Sequence, residues 1–497
     1  MALVATGLAA IVGLVALAFD IGFLYSTRRR MQTAADAAAV AAANALQSSN
    51  AANYATAATD VATLNGYTNG QNGVTVTVPA TSACPGASAQ RCVQVTIAQA
   101  VPTSFLGAIG YSTVNVSVQA TAGSLNGPAC IYALDPSAAQ AISLNGIVTM
   151  NLSCGLIDNS NSSSALYANG IVTVNATATG VAGGFSQSGI VNFTPAPITH
   201  IAPAADPLAS LGGPTVGSCT QAATTTGSSL VASGTYGTYN MTPGVYPVNG
   251  STGYGINLSG NFTTLNFAAG TYGNGVSLSG NIGTANFSPG QYQNGGGSGK
   301  SIYITGNTNT ATFAAGSYTF CGPVALVGNN PSITLRPGLY YGGISITGNA
   351  HVNFQPGTYI LAGGGLAVTG NSVITGTGVT FYNTTGLGGY QPINVTGNAQ
   401  LNLSAPTSGA LEGILFFQDR SVAGGSAAST IVGNSSSSFD GALYFPTTGL
   451  QYVGNSSVSG YTLIVADTVQ ITGNSSVGNN YTSLSNGSPI VSNALYQ

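Results

Sequence analysis

At 497 residues the chain is long enough for more than one domain and a large core. Asp, Glu, Lys and Arg make 3% of it, against roughly 25% in ordinary soluble proteins. The 44% apolar content and 24 Tyr exclude a disordered chain, which would lack core formers, and a net charge of −3 leaves no electrostatic footprint for nucleic acid.

Leu3 to Tyr25 is apolar except for Thr6, Asp20 and the glycines, and about 20 such residues suffice to span a bilayer. No basic n-region precedes a short apolar core, so the run reads as an uncleaved anchor, not a signal peptide. Arg28-Arg29-Arg30 follows directly. The positive-inside tendency alone would put the C-terminal side in the cytoplasm. The low charge and the even cysteine count argue instead for an extracytoplasmic, oxidising location. Asp20 reads either as an interfacial residue touching headgroups or water, or as a polar contact within an assembly. The Ala-rich stretch from Met31 to Gln47 continues the span as one long helix, because Ala is the strongest helix former.

Ala18-Phe-Asp-Ile-Gly22, followed by Arg28-Arg-Arg-Met-Gln-Thr-Ala-Ala-Asp-Ala-Ala, resembles the TadE/TadG-like segment of tight-adherence (Flp) pilus assembly proteins. The matching positions are Asp20, Gly22, Gln32, Ala34, Ala35 and Asp36. The basic residues expected before the span are missing, and no Gly is followed five residues on by the Glu of a prepilin cleavage site. The resemblance therefore implies a TadG-like bacterial envelope protein with pilus components as partners, not a processed pseudopilin.

Val74–Pro79, Cys92–Ala100 and Ser112–Ala122 alternate as half-buried strands, and Val101–Gly110 reads as a short helix entered through Pro102. This makes a small α+β domain. The expected division is 1–60 for anchor and helix, 61–125 for this domain, and 126–497 for the rest. Of the six cysteines, Cys84 with Cys92 is the first candidate pair and Cys130 with Cys154 the second. Cys219 and Cys321 complete the even count.

From about residue 130 a repeat governs the sequence. A Gly-Asn step recurs from Gly260 to Gly473, mostly every 20–22 residues. Aliphatic residues sit four and two places before each Gly, as in Ile256/Leu258 and Val276/Leu278. A second short strand follows (Leu265/Phe267, Ala285/Phe287), then a Gly-x-Tyr step (Gly270/Tyr272, Gly290/Tyr292). Three short strands per coil predict a mainly β fold, a right-handed parallel β-helix of about fifteen coils on the order of 70 Å long. Glycine is expected at corners needing positive φ. Asn261, Asn281, Asn307, Asn329, Asn349, Asn371 and Asn398 are expected to form a hydrogen-bonded corner ladder. Ile142/Leu144-Asn-Gly146 and Leu166/Ala168-Asn-Gly170 extend the pattern upstream, and a Pro-rich loop near 195–235 interrupts it.

Glycosidase chemistry needs two carboxyls at fixed separation. Glu412, Asp419 and Asp440, with Arg420 nearby, are the candidates, since 21 residues separate Asp419 from Asp440 and one coil would bring them together. An ion pair or corner cap is the simpler reading. His200 and His351 read as exposed singletons. No zinc spacing, P-loop, dinucleotide fingerprint or nucleophile elbow is present, so no cofactor or metal is expected. The expectation is a membrane-anchored structural or adhesive rod, contacting pilus components or envelope glycans. The alternatives are a tethered polysaccharide lyase or hydrolase and a stand-alone adhesin.

Overall fold

The Ala-rich run forms one continuous helix, α1 (Ala2–Gln47), in a computed structural model. The structure describes residues 2–47, 53–84, 87–123, 129–219, 228–294, 299–330, 332–432, 437–454, 461–477, 480–485, 489 and 494–496. Two compact units emerge: Met1–Pro128 with Val491–Gln497, and Ala129–Ile490.

In the first unit, Val74–Thr77, Ala87–Pro102 and Thr113–Gly123 pair antiparallel. Val93, Val95 and Ile97 alternate inward, as do Val116, Val118 and Ala120. The buried face of α1 is almost all alanine (Ala34, Ala35, Ala38, Ala39, Ala42, Ala43), which lets the helix backbone lie close to the sheet. A second helix, α2 (Tyr54–Leu64), adds Ala58 and Ala62 to this core. The expected 1–60 and 61–125 segments thus share one core. Ala494–Tyr496 also pairs with Thr121–Gly123, a strand no periodicity in the sequence marks. The expected helix after Pro102 shrinks to a 3-10 turn, Leu106–Ile109. Among the described residues no helix is long and apolar enough to cross a membrane; within the Leu3–Tyr25 run, the side chains of residues 3–14 lie outside that set.

The second unit is a β-solenoid of about 15 turns. From Leu230 to Gln418 each coil contributes one strand to each of three parallel sheets, whereas the coils of residues 129–199 and 461–477 contribute to two. Along the first sheet, Ile256, Val276, Ile302, Val324, Ile344, Leu366 and Ile393 stand in one register column. All are buried. Along the second, Phe267, Phe287 and Phe313 stack with ring centroids 4.6 and 4.5 Å apart. In the third, Tyr272 lies over Tyr292, but Tyr318 then pairs with Gly290 and Tyr359 with Gly338. These slips are of two residues, which keeps the inward face inward.

Two features depart from the sequence reading. Glycine at Gly280 is demanded by coil contact and not by φ: a Cβ there would lie 1.8 Å from the Gly260 carbonyl oxygen. Positive φ is reached at later corners such as Gly348, at +104°. The second departure is coil order. Ile142–Leu152 does not precede the Gly-Asn coils in the column. It pairs on one side with Val469–Val477 and on the other with Leu166–Asn175, which pairs with Phe185–Thr194. The first coils therefore stack beyond the last one. The opposite end is Leu230–Ala232, which pairs with Ile256–Leu258.

The Pro-rich segment must then travel back along the column, and its contacts trace that path. Ala204 exchanges hydrogen bonds with Asn159 at 2.8 and 2.7 Å. Asp206 meets Tyr444, Leu208 and Leu211 meet Arg420, and Cys219 is bridged to Cys321. Residues 200–219 form a strap without β-strands.

Candidate functional site

The motif residues of α1 make a clasp inside the first unit. Asp20 Oδ1 accepts from Ser104 N at 3.1 Å, and Oδ2 accepts from Phe105 N at 2.9 Å and Leu106 N at 2.7 Å. The first N–H groups of a helical turn have no partner of their own, so a carboxylate on α1 caps a turn 84–86 residues away. Asp20 is only 2% exposed. Its partners belong to its own chain, where the sequence pointed to headgroups, water or another subunit. Gln32 Nε2 donates to Asp36 Oδ1 at 2.8 Å and to the Gln119 carbonyl at 3.0 Å, binding α1 to the third strand of the sheet. Ala34 and Ala35 are buried beneath it. Gly22 is exposed, and a Cβ there would meet nothing within 4 Å.

The solenoid's carboxylates do not converge as their spacing suggested. Ile414–Gln418 runs beside Ser438–Phe445, with Ile414 opposite Ala442 and Phe417 opposite Tyr444. Asp440 precedes this pairing and Asp419 follows it, so the two stand about 20 Å apart at roughly 3.3 Å per residue. Glycosidase carboxyls need about 5–10 Å. The expected juxtaposition is wrong because both residues flank one pair of strands at opposite ends. Asp419 accepts from Thr384 Oγ1 at 2.6 Å and Ser421 N at 2.9 Å. Burial alone would raise its pKa; these hydrogen bonds outweigh burial and hold it below the usual carboxylate value. Arg420 turns away to the strap. Glu412 accepts from Ser485 Oγ at 2.9 Å. Burial first, then Asp440, Tyr481 and Glu412, push the Tyr461 hydroxyl upward. Ala442 N donates to the Gly413 carbonyl at 2.8 Å and Gly441 N to the Tyr461 carbonyl at 2.9 Å, which brings the segments of Glu412 and Asp440 to one corner. A groove of about 330 Å³ runs between the strap and this corner, lined by Leu208, Leu211, Ala410, Ile414 and Pro489, and among the described residues of its lining Glu412 alone is titratable.

His200 is exposed at φ +62° beside Thr199, and His351 occupies an outward position on its strand. Among the described residues no three His, Cys, Asp or Glu side chains gather as metal ligands would. Cys130 is bridged to Cys154 and Cys219 to Cys321. Sequence spacing offered no route to the second bridge, whose partners lie on the strap and on a coil 102 residues later. Cys92 is buried and disulfide-bonded; the side chain of Cys84 lies outside the described residues.

The solenoid's exterior presents amides in columns. Asn281 donates to Asn261 at 2.9 Å and Asn307 to Asn281 at 3.0 Å. Asn349 donates to Asn329 at 2.9 Å, Asn371 to Asn349 at 3.2 Å and Asn398 to Asn371 at 3.4 Å. A second column, Asn240–Asn266–Asn286, has bonds of 2.8 and 2.9 Å. Its signal in the sequence is the Asn directly before Phe267 and Phe287, which lies outside the Gly-Asn step.

Residues 1–45 match the family model described as Flp pilus-assembly TadE/G-like, and residues 25–122 match Tad-like Flp pilus-assembly. No curated protein and no solved structure matches the chain. The Tad domains indicate a pilus-associated, envelope-associated role. The chain carries TadE/G-like and Tad-like Flp pilus-assembly domains over residues 1–122, followed by a β-solenoid.

Proposed function

We propose that this chain is a TadG-like pilus assembly protein of the bacterial envelope, anchored by the apolar half of α1 and presenting its solenoid as a structural or adhesive rod outside the cytoplasm. The observation that carries the reading is the pairing of Tad domains at residues 1–122 with a column whose described exterior is built from amide ladders. Such a surface binds by hydrogen bonds and shape with little salt dependence, which suits pilus subunits or envelope glycans. Disulfides in the solenoid fit an oxidising compartment. The anchor rests on the Leu3–Tyr25 run.

Gene deletion with complementation tests the reading. The deletion strain is expected to lose surface filaments or filament-dependent adhesion, and the full-length gene to restore them. A triple variant, Glu412→Gln, Asp419→Asn and Asp440→Asn, is expected to complement as well as the parent. Turnover of an acidic polysaccharide by the purified chain, lost in the triple variant, would overturn the non-enzymatic role. Normal filaments with impaired adhesion would favour a stand-alone adhesin.

A further inference from the structure

We propose that the turn from Thr103 to Ser112 is a second membrane-contacting element, lying at the boundary of headgroups and acyl chains beside α1. The proposal rests on the anchor reading above and extends it from a helix to a helix plus a wedge.

Three observations within the first unit carry it. The first is an apolar patch. On α1, Val15, Phe19, Phe23 and Tyr25 are 51–66% exposed, and on the turn Phe105 and Tyr111 are 49% and 64% exposed. The rings of Phe19 and Phe105 touch edge to face at 6.0 Å, so the helix and turn surfaces are continuous. No charged residue occurs between Arg91 and Asp135.

Depth is the second. Asp20 fixes the turn to α1 at its own level. Arg28 lies eight residues further on, about 12 Å along the axis at 1.5 Å per residue. Arg28, Arg29 and Arg30 are exposed, and arginines flanking a span reach for headgroups. The headgroup layer of one leaflet is only about 5–8 Å thick. With the arginines in that layer, the turn lies beneath it.

The third is backbone satisfaction, the strictest condition for non-helical chain in lipid, toward which six N–H groups of the turn have a partner. Asp20 takes the N–H groups of residues 104–106. Tyr111 N donates to the Leu106 carbonyl at 3.0 Å, Gly110 N to Gly107 at 3.1 Å, and Thr103 N to Ser112 at 3.1 Å. The Thr103 hydroxyl donates to the Tyr111 carbonyl. An exposed aqueous loop has no need of such closure, because water would serve the same groups.

The chain contains no Trp, so single substitutions give unambiguous reporters in the whole 497-residue chain. Phe105→Trp, Tyr111→Trp, Leu17→Trp and Leu64→Trp are reconstituted in phosphatidylcholine vesicles with and without acyl-brominated lipid. Leu17 lies in the anchor, and Leu64 is exposed at the end of α2. Phe105→Trp and Tyr111→Trp are expected to emit blue-shifted and to lose at least half their intensity to bromine, as Leu17→Trp does, with Leu64→Trp unquenched. If Leu17→Trp is quenched while both turn reporters behave like Leu64→Trp, the wedge is overturned and the anchor stands. A blue shift without bromine quenching would mean that protein covers the patch, which also overturns it. Quenching of neither class would remove the anchor and the wedge together.

Discussion

The guanidinium of Arg420 lies 5.1 Å from the ring of Tyr444, and its Nε donates to the Tyr444 hydroxyl at 2.7 Å. That hydroxyl donates in turn to Asp206 at 2.6 Å, and the remaining Arg420 nitrogens donate to the carbonyls of Leu208 and Leu211. A planar fork with several donors suits such a junction, where Lys would offer a point charge. The group that looked like a partner for catalytic carboxylates is the buckle of the strap.

Arg420→Ala is accordingly expected to free the strap while leaving the coils stacked. Hydrogen bonds to charged groups contribute about 1.5–3 kcal/mol each, less when partly exposed, so the cost should be about 2–4 kcal/mol. Limited proteolysis within residues 200–219 should accelerate, with the far-ultraviolet β-signal unchanged. Unchanged cleavage would mean that the strap is held elsewhere.

The two described bridges should differ in value. Cys219–Cys321 closes 102 residues and Cys130–Cys154 closes 24. Chain-entropy estimates for loops of these lengths are about 5 and about 3 kcal/mol. The paired Cys→Ser variant of the first is expected to lower the denaturation midpoint more than that of the second. The reverse order would show that the strap is already fixed without its bridge.

Tyr292 illustrates the corner chemistry. Its hydroxyl donates to the Ser288 carbonyl at 2.8 Å, four residues earlier. Tyr272, Tyr318, Tyr340 and Tyr359 make the same bond to Ala268, Ala314, Arg336 and Gln355. Tyr292→Phe should cost about 1–2 kcal/mol by leaving a buried carbonyl unsatisfied, and Tyr292→Ala about 3–5 kcal/mol through the added cavity. A Tyr292→Phe variant as stable as the parent in chemical denaturation would show that the hydroxyl contributes nothing.

Asp158 supplies a pH dependence. It is buried at the seam where the first coils meet the last. Burial raises its pKa to about 6, with Asp135 adding to the rise and hydrogen bonds from Ser160 and Ile142 opposing it. Asp467 at the same seam is also raised, by burial and then by Asp135. A folded-state pKa above the unfolded value means that the folded state holds the proton more tightly. Stability from this source is complete below pH about 3.8 and is lost as pH rises through about 6. The melting temperature should therefore rise between pH 7 and pH 5. The depressed pKa of Asp419 opposes this only nearer pH 3.8 and below. A flat profile from pH 7 to 5 would count against the buried charge.

Asp20→Ala should release the cap on the 104–106 turn. Hydrogen exchange of those three amides is expected to lose protection, while the amides of the Thr113–Gly123 strand keep theirs. Protection unchanged at residues 104–106 would mean that the clasp does not hold the turn.

The coil itself was legible from the sequence. Aliphatic residues four and two places before each Gly-Asn can bury one face only as a period-two strand, and the free edges of one coil require another above and below. The Tad-type segment was legible because its motif is local. The position of each coil in the column was not, because Ile142–Leu152 offers the same face as its neighbours and would fit against either. The closing of the chain upon itself decided that the first coils follow the last and that the Pro-rich segment runs back as a strap. Asp20, Arg420 and Cys219 acquired their partners only through tertiary structure, from residues 84 to 212 positions away. Periodicity reports which face is buried; which distant group lies against that face depends on how the whole chain packs.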